Sequence, residues 1–161
     1  MRALDDGDEA DCGMPGLGMT RIDFYSNAGS KLHAACRIVG RAWKGKHKVL
    51  VFTPEEAVAR SFDRLLWTYQ PIGFVPHCMA QDPLAVETPV LITTKVDTLS
   101  HDEVLVNLAP EYPAIFSRFA RLIEVVGLDE IDRTAARARW RFYKDRGYAI
   151  EHHDLAAQVR S

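Results

Sequence analysis

The sequence predicts an α/β protein: a single-domain three-layer α/β/α sandwich around a mainly parallel central sheet. Three observations carry that expectation. Short apolar runs rich in β-branched residues recur along the chain, and they alternate with segments whose apolar residues repeat every three or four positions. The composition, 47% hydrophobic and 26% charged over 161 residues, is enough to fill one core.

Taken in order, residues 1–18 hold Asp5, Asp6, Asp8, Glu9 and Asp11 against one arginine, with no apolar periodicity. They predict a flexible acidic N-terminal extension, with Met19 a candidate start and residues 19–161 the single domain. Residues 20–26, TRIDFYS, place Ile22 and Phe24 on one face of a half-buried strand. After a turn at Asn27, Ala28 and Gly29, Ser30 caps a helix with Leu32, Ala35, Cys36, Val39 and Trp43 on one side, ending near Gly45. Residues 47–52, HKVLVF, read as a buried strand.

The next helix carries a capping box: Thr53 as N-cap, Pro54 at the first helical position and Glu56 three residues after the cap. Its stripe is Val58, Phe62, Leu65, Leu66 and Tyr69, and Pro71 stops it. Trp67 and Phe74, seven residues apart, bracket the Pro/Gly turn; they are either two core rings or a rigid anchor for a partner protein. Residues 89–94 and 103–109 predict two strands, with 95–102 a loop or an excursion over the sheet edge. Residues 114–119 suggest a short helical piece and 121–127 another strand. A last helix is expected from Asp129 or Asp132 to about Arg146, with Gly147 at its C′ position.

That last helix holds the strongest charge signal: Arg133, Arg137, Arg139, Arg141, Lys144 and Arg146 against Asp145. At about 100° per residue, Arg133, Arg137, Arg141 and Lys144 share an arc of about 80°, with Ala135, Ala138 and Phe142 opposite and expected to pack. Trp140 and Tyr143 lie beside the stripe. A solvated face is the plain alternative. The absence of glutamates four residues before the arginines separates this helix from a merely solubilising one. Such a stripe beside aromatics suits an acidic peptide ending in an apolar residue, or a nucleic-acid backbone.

Catalytic and cofactor motifs are weak. Residues 40–47, GRAWKGKH, nearly spell a phosphate-binding loop, but His47 replaces the hydroxyl that holds magnesium, and the segment ends a helix instead of opening one. His152, His153 and Asp154, or His77 with Cys78, lack the second spaced pair of a metal site, and Asp63 and Glu124 have no recognisable acid/base partner. No metal, cofactor or catalytic residue is expected. Three cysteines without CxxC spacing fit a reducing cytosol. With no membrane span or signal peptide in view, a cytoplasmic protein is expected.

Four segments carry a resemblance: DFY in the first strand, RAWKGKHKVLV, LLWTYQPIGFVPH, and the terminal RARWRFYKDRGY. From Met19 onward the chain resembles the chi subunit of bacterial DNA polymerase III. The resemblance implies one α/β domain without catalytic activity of its own, acting within the polymerase holoenzyme. It implies pairing with the psi subunit, through which the family joins the clamp-loader complex. It also implies binding of the acidic, Phe-terminated C-terminal tail of single-stranded DNA-binding protein, so that DNA contact is indirect. By position, Trp67 and Phe74 match the residues used against psi. Arg137 and Arg141 match basic positions of the tail site, Trp140 an aromatic neighbour, Arg133 a further basic position and Val126 an apolar lining residue; Lys144 completes the basic stripe. Two other classes remain open at this point: a nucleotide- or phosphate-handling enzyme on the same scaffold, and direct single-stranded DNA binding by the basic helix.

Overall fold

Seven parallel strands form one sheet in a computed structural model that describes residues 20–69, 73–95 and 101–156. In chain order the elements are β1 (Arg21–Ala28), α1 (Lys31–Lys44), β2 (Val49–Phe52), α2 (Glu56–Thr68), β3 (His77–Met79), β4 (Val90–Thr93), β5 (Val104–Asn107), β6 (Arg121–Gly127), α3 (Glu130–Asp145) and β7 (Ile150–Asp154). Single 3₁₀ turns cover Ala85–Glu87 and Phe116–Arg118. The strand order across the sheet is β3-β4-β2-β5-β6-β1-β7.

The expected α/β/α sandwich is present, and side-chain alternation along the strands builds it. Val49 and Val51 join Ala35, Val39, Phe62 and Leu66 in a core under α1 and α2. Leu50 and Phe52 face the other way, into a second core with Ile22, Phe24, Leu122 and Tyr143 under α3. Because helices cover both faces, the interior strands are mainly apolar, with Asp23, Asn107 and Glu124 as buried polar exceptions, which is why they read as runs in the sequence.

Several local expectations hold. Ser30 caps α1 by accepting from the His33 N–H at 3.3 Å, and Asp129 caps α3 by accepting from the Asp132 N–H at 2.7 Å. Gly147, just past α3, takes the left-handed conformation (φ +87°) that a glycine C′ residue supplies. The capping box at Thr53 does not form. Thr53 stays in register with the sheet, donating its N–H to Thr93 at 3.1 Å, and its hydroxyl accepts from the Glu55 N–H. The N-cap is therefore Glu55, without a side-chain cap bond, and α2 starts at Glu56.

Three further readings are corrected. β1 is buried on both faces, because it is an interior strand whose Tyr25 joins the core under α1 and α2 and whose Ile22 and Phe24 join the core under α3; Asp23 in it is fully buried, held by Arg121 at 2.7 Å and His153 at 3.0 Å. β3 and β7 were not expected as strands: they form the two edges of the sheet, where HCM and IEHHD are partly exposed and carry no apolar run. Finally, α3 buries Ala136, Arg139 and Tyr143 instead of Ala135, Ala138 and Phe142. The packed face is rotated by about 100° from the alanine face, because Glu124, buried in β6, draws in Arg139 and Tyr143. Ala138 is exposed, and Phe142 stacks on Tyr112 with ring centroids 3.9 Å apart. Residues 1–19 and 96–100, and with them the predicted N-terminal extension and most of the predicted loop, lie outside the described residues.

Candidate functional site

The rotation of α3 turns its basic stripe toward the β1/β7 edge of the sheet, where it becomes one wall of a groove. The groove has a volume of about 610 Å³ and is lined by Arg133, Arg137, Trp140, Arg141 and Lys144 from α3, Val126 from β6, Phe24 and Ser26 from β1 and His152 from β7. All six residues expected at the tail site by sequence come together here. Arg139, counted with the same charge cluster, does not: it is 3% exposed and belongs to the core.

The floor is apolar and fixed. Val126 and Ala136 are buried, and the Trp140 ring sits 5.0 Å from Phe24 and 6.2 Å from His152. His152 is held in turn by the Ser26 hydroxyl at 2.6 Å. Around this floor the cations differ in how they are engaged. Arg133 donates to the Asn27 side chain at 2.9 Å, and Arg137 reaches back seven residues to Glu130 at 3.2 Å. Arg141 and Lys144 make no ion pair among the described residues. Asp145 is the one acid among the lining residues, so the groove is electropositive with a hydrophobic base.

The seat of α3 is a buried polar knot. The Glu124 carboxylate, fully buried, accepts from Arg139 Nε at 2.9 Å, from the Tyr143 hydroxyl at 2.5 Å and from the Asn107 amide at 3.0 and 3.1 Å. Arg139 also donates to the Pro110 carbonyl at 2.6 Å, tying the helix to the loop after β5. Burial pushes Glu124 above the usual carboxylate range, while Arg139, Tyr143 and Asn107 pull it back. Burial and the neighbouring carboxylate likewise raise Tyr143. At the entry to α3, Asp132 accepts from the Gly127 N–H at 2.7 Å and pairs with Lys31 at 3.1 Å.

At the opposite edge of the sheet, Trp67 and Phe74 are 59% and 62% exposed, with ring centroids 5.7 Å apart. They are not core rings. Trp67 rests on His77 at 4.7 Å, and His77 is pinned by the Val75 carbonyl at 2.6 Å and faces Asp63 at 3.3 Å. The pair is therefore pre-set on the surface beside the edge strand β3.

The other candidates resolve into structure. His153 and Asp23, with Glu151, bring three ligand-type atoms within 4.8 Å of one another. Arg121 and Arg21 already lie 2.7 and 3.7 Å from Asp23 and supply the positive charge there. Asp154 accepts from the Asn27 amide at 2.9 Å. What the sequence missed was Phe24, Ser26 and His152 as groove residues: they come from strands nearly 130 residues apart that pair directly, Phe24 opposite His152. Among the described residues, no helix is long and apolar enough to cross a membrane.

Fold and surfaces define a class: a parallel α/β protein whose distinctive chemistry is presented outward, in a basic groove and an exposed aromatic pair. The model of the family described as DNA polymerase III chi subunit, HolC, matches residues 19–151. The Pseudomonas aeruginosa DNA polymerase III subunit chi is 33% identical over 141 residues, covering 85% of this chain and 98% of that protein. The Haemophilus influenzae chi subunit is 30% identical over 72% of this chain and 81% of its own length, and that of Escherichia coli K12 is 25% identical over 71% and 79%. Among solved structures, the Saccharomyces cerevisiae Dbp5 C-terminal domain, bound to Gle1 and IP6, superposes with a TM-score of 0.56 at 13% identity. It covers 85% of this chain and 90% of that one and shows the fold alone. The chain belongs to the DNA polymerase III chi subunit family; it is an accessory, non-catalytic subunit associated with that polymerase.

Proposed function

We propose that this chi-family subunit is a two-sided adaptor: it binds the psi subunit through Trp67 and Phe74, and the acidic C-terminal tail of single-stranded DNA-binding protein in the α3 groove. Through psi it joins the clamp-loader complex, and at the α3 groove its contact with DNA is made by way of the protein that coats the strand. The observation that carries the reading is the convergence of Arg133, Arg137, Arg141 and Lys144 around a floor of Trp140, Phe24 and Val126. A tail of aspartates ending in Pro-Phe matches both halves of that surface. Its carboxylates meet guanidinium groups in charge-assisted pairs, and its terminal ring is covered by apolar side chains. Two solvent-exposed rings fixed beside an edge strand are the kind of anchor that a stable protein interface buries.

Binding of the tail is expected to be weak and salt-sensitive, since exposed pairs are each worth under about 1 kcal/mol and are screened. Fluorescence anisotropy of a labelled acidic, Phe-ended tail peptide tests the groove. Binding should require the terminal Phe, weaken with salt, and drop about tenfold in Arg137→Ala/Arg141→Ala, where two charge-assisted contacts of about 1 kcal/mol or less each are lost. An unchanged affinity in that double variant overturns the assignment. For the other side, co-purification of Phe74→Ala with psi should fail while its melting temperature stays with the parent.

A further inference from the structure

A second electropositive surface lies on the N-terminal edge of the sheet, where α1 ends and β2 begins. Here Trp43, Lys44, Lys46, His47, Lys48 and Pro89 line a groove of about 530 Å³. We propose that this groove binds single-stranded nucleic acid directly, with phosphates on Lys44, Lys46 and Lys48 and a base against the Trp43 and Pro89 surface. The proposal is independent of the α3 groove: in the parallel sheet Lys48 and Pro89 precede β2 and β4, whereas Ser26 and Val126 of the α3 groove lie toward the C-terminal ends of β1 and β6, and β5 stands between β2 and β6.

The usual structural role for such lysines covers only part of the set. Arg41 and Lys44 lie in the last turn of α1, where cations meet the free carbonyls and the negative end of the helix dipole. Lys46 and Lys48 lie beyond that turn. Lys46 moreover occupies a left-handed backbone position (φ +68°) that glycine takes without strain, while the neighbouring Gly45 sits at φ −80°. Gly45 has its own reason: a Cβ there would come 3.3 Å from His47 Cδ2 and 3.4 Å from the Ala42 carbonyl. Nothing in the packing accounts for a lysine at 46.

The neighbouring acid leaves the rim charged. Glu103 accepts from the Lys48 backbone N–H at 3.1 Å and lies 3.4 Å from His47 Nδ1. The ammonium groups of Lys44, Lys46 and Lys48 make no ion pair among the described residues, and all three side chains are exposed. Beneath them Trp43 is half-buried and packed on the core, so its ring is held in place without a ligand.

Ligand class follows from the charge and the ring together. The α1 rim offers three ammonium point charges, which bind phosphate without needing a paired-oxygen geometry, beside the Trp43 and Pro89 surface. A phosphodiester backbone supplies one charge per nucleotide and, unlike an acidic peptide, a flat ring for the aromatic floor.

The test is anisotropy of a labelled oligothymidylate of about 20 nucleotides with the full chain, at salt concentrations from about 20 to about 200 mM. The parent should bind at low salt. The variant Lys44→Ala/Lys46→Ala/Lys48→Ala should bind about tenfold more weakly, with a log–log salt slope shallower by about 2, since each phosphate contact contributes about 0.7 for a single strand. Arg137→Ala/Arg141→Ala should keep the parent's affinity for the oligonucleotide. If the lysine variant melts early, Lys46→Gln/Lys48→Gln, outside the helix, should shift affinity in the same direction. The proposal is overturned if the parent does not bind at low salt, if removing the lysines leaves affinity unchanged, or if the loss follows the arginines. It is also overturned if an unlabelled acidic peptide displaces the oligonucleotide from the lysine rim at matched charge.

Discussion

The two surfaces assigned to protein partners lie at opposite edges of one sheet and are built by opposite means. The α3 groove is a charged wall over an apolar floor, and its geometry depends on a buried ion pair behind it, Arg139 with Glu124. The Trp67–Phe74 surface is exposed aromatic area, fixed by a local stack on His77 at the end of α2. The first draws its shape from residues far apart in sequence, the second from Trp67, Phe74 and His77, which lie within one short stretch of chain. Substitutions beneath the groove should therefore unsettle the fold, whereas substitutions in the aromatic pair should affect only what docks there.

The sharpest way to break this contrast is Glu124→Ala. It strands Arg139 as a buried, unpaired cation and should cost about 3–5 kcal/mol of stability, measured by urea unfolding, with tail binding weakened because α3 loses its seat. A variant as stable as the parent would show that the knot does not hold the groove. Phe74→Ala should lie at the other pole: stability within about 0.5 kcal/mol of the parent, and psi affinity lower by about 2 kcal/mol, as for a buried interface anchor.

Alkaline unfolding sharpens the comparison between the two layers. Burial pushes the Cys36 thiol, under α1, from 9.0 up to about 12. The unfolded chain releases this proton near 9.0 and the folded chain holds it until about 12. The raised value thus contributes stability that is complete below 9.0 and is lost above it, by up to about 1.4 kcal/mol per pH unit. Tyr143, under α3, is raised in the same sense from 10.0, so its loss begins later. Cys36→Ala should flatten the stability profile between pH 9 and 10 and leave the steeper fall beyond it; an unaltered profile would exclude the thiol as its source.

The smallest effect expected is Glu130→Ala. Its carboxylate holds Arg137 at 3.2 Å, so removing it frees the guanidinium for a ligand carboxylate. Tail affinity should rise by about two- to threefold, the value of one exposed pair, and weaker binding would assign Glu130 a positive role.

Some of this molecule was legible because its causes are local. The interior strands are mainly apolar on both faces, so 49–52, 90–93, 104–107 and 121–127 read as runs despite Asn107 and Glu124. Ser30 and Asp129 cap their helices through residues three positions away, and the basic stripe of α3 is a matter of 100° steps. Those features, and through them the α/β class and the cationic face, were determined by the sequence itself. Thr53 shows the limit of local reasoning: a sound capping box lost to a sheet bond with Thr93.

What only the tertiary structure decided was orientation. Arg139 looked like one more surface cation until Glu124, fifteen residues earlier, drew it inward and turned α3 by about 100°. β7 became a strand because β1, some 130 residues away, offered it an open edge and fixed His153 on Asp23. Whether Trp67 and Phe74 faced the core or the solvent likewise depended on what else filled the space beneath α2, which Phe62 and Leu66 already occupy. Caps and periodicity act within one helical turn, but burial and pairing are settled by residues that meet only when the chain has folded.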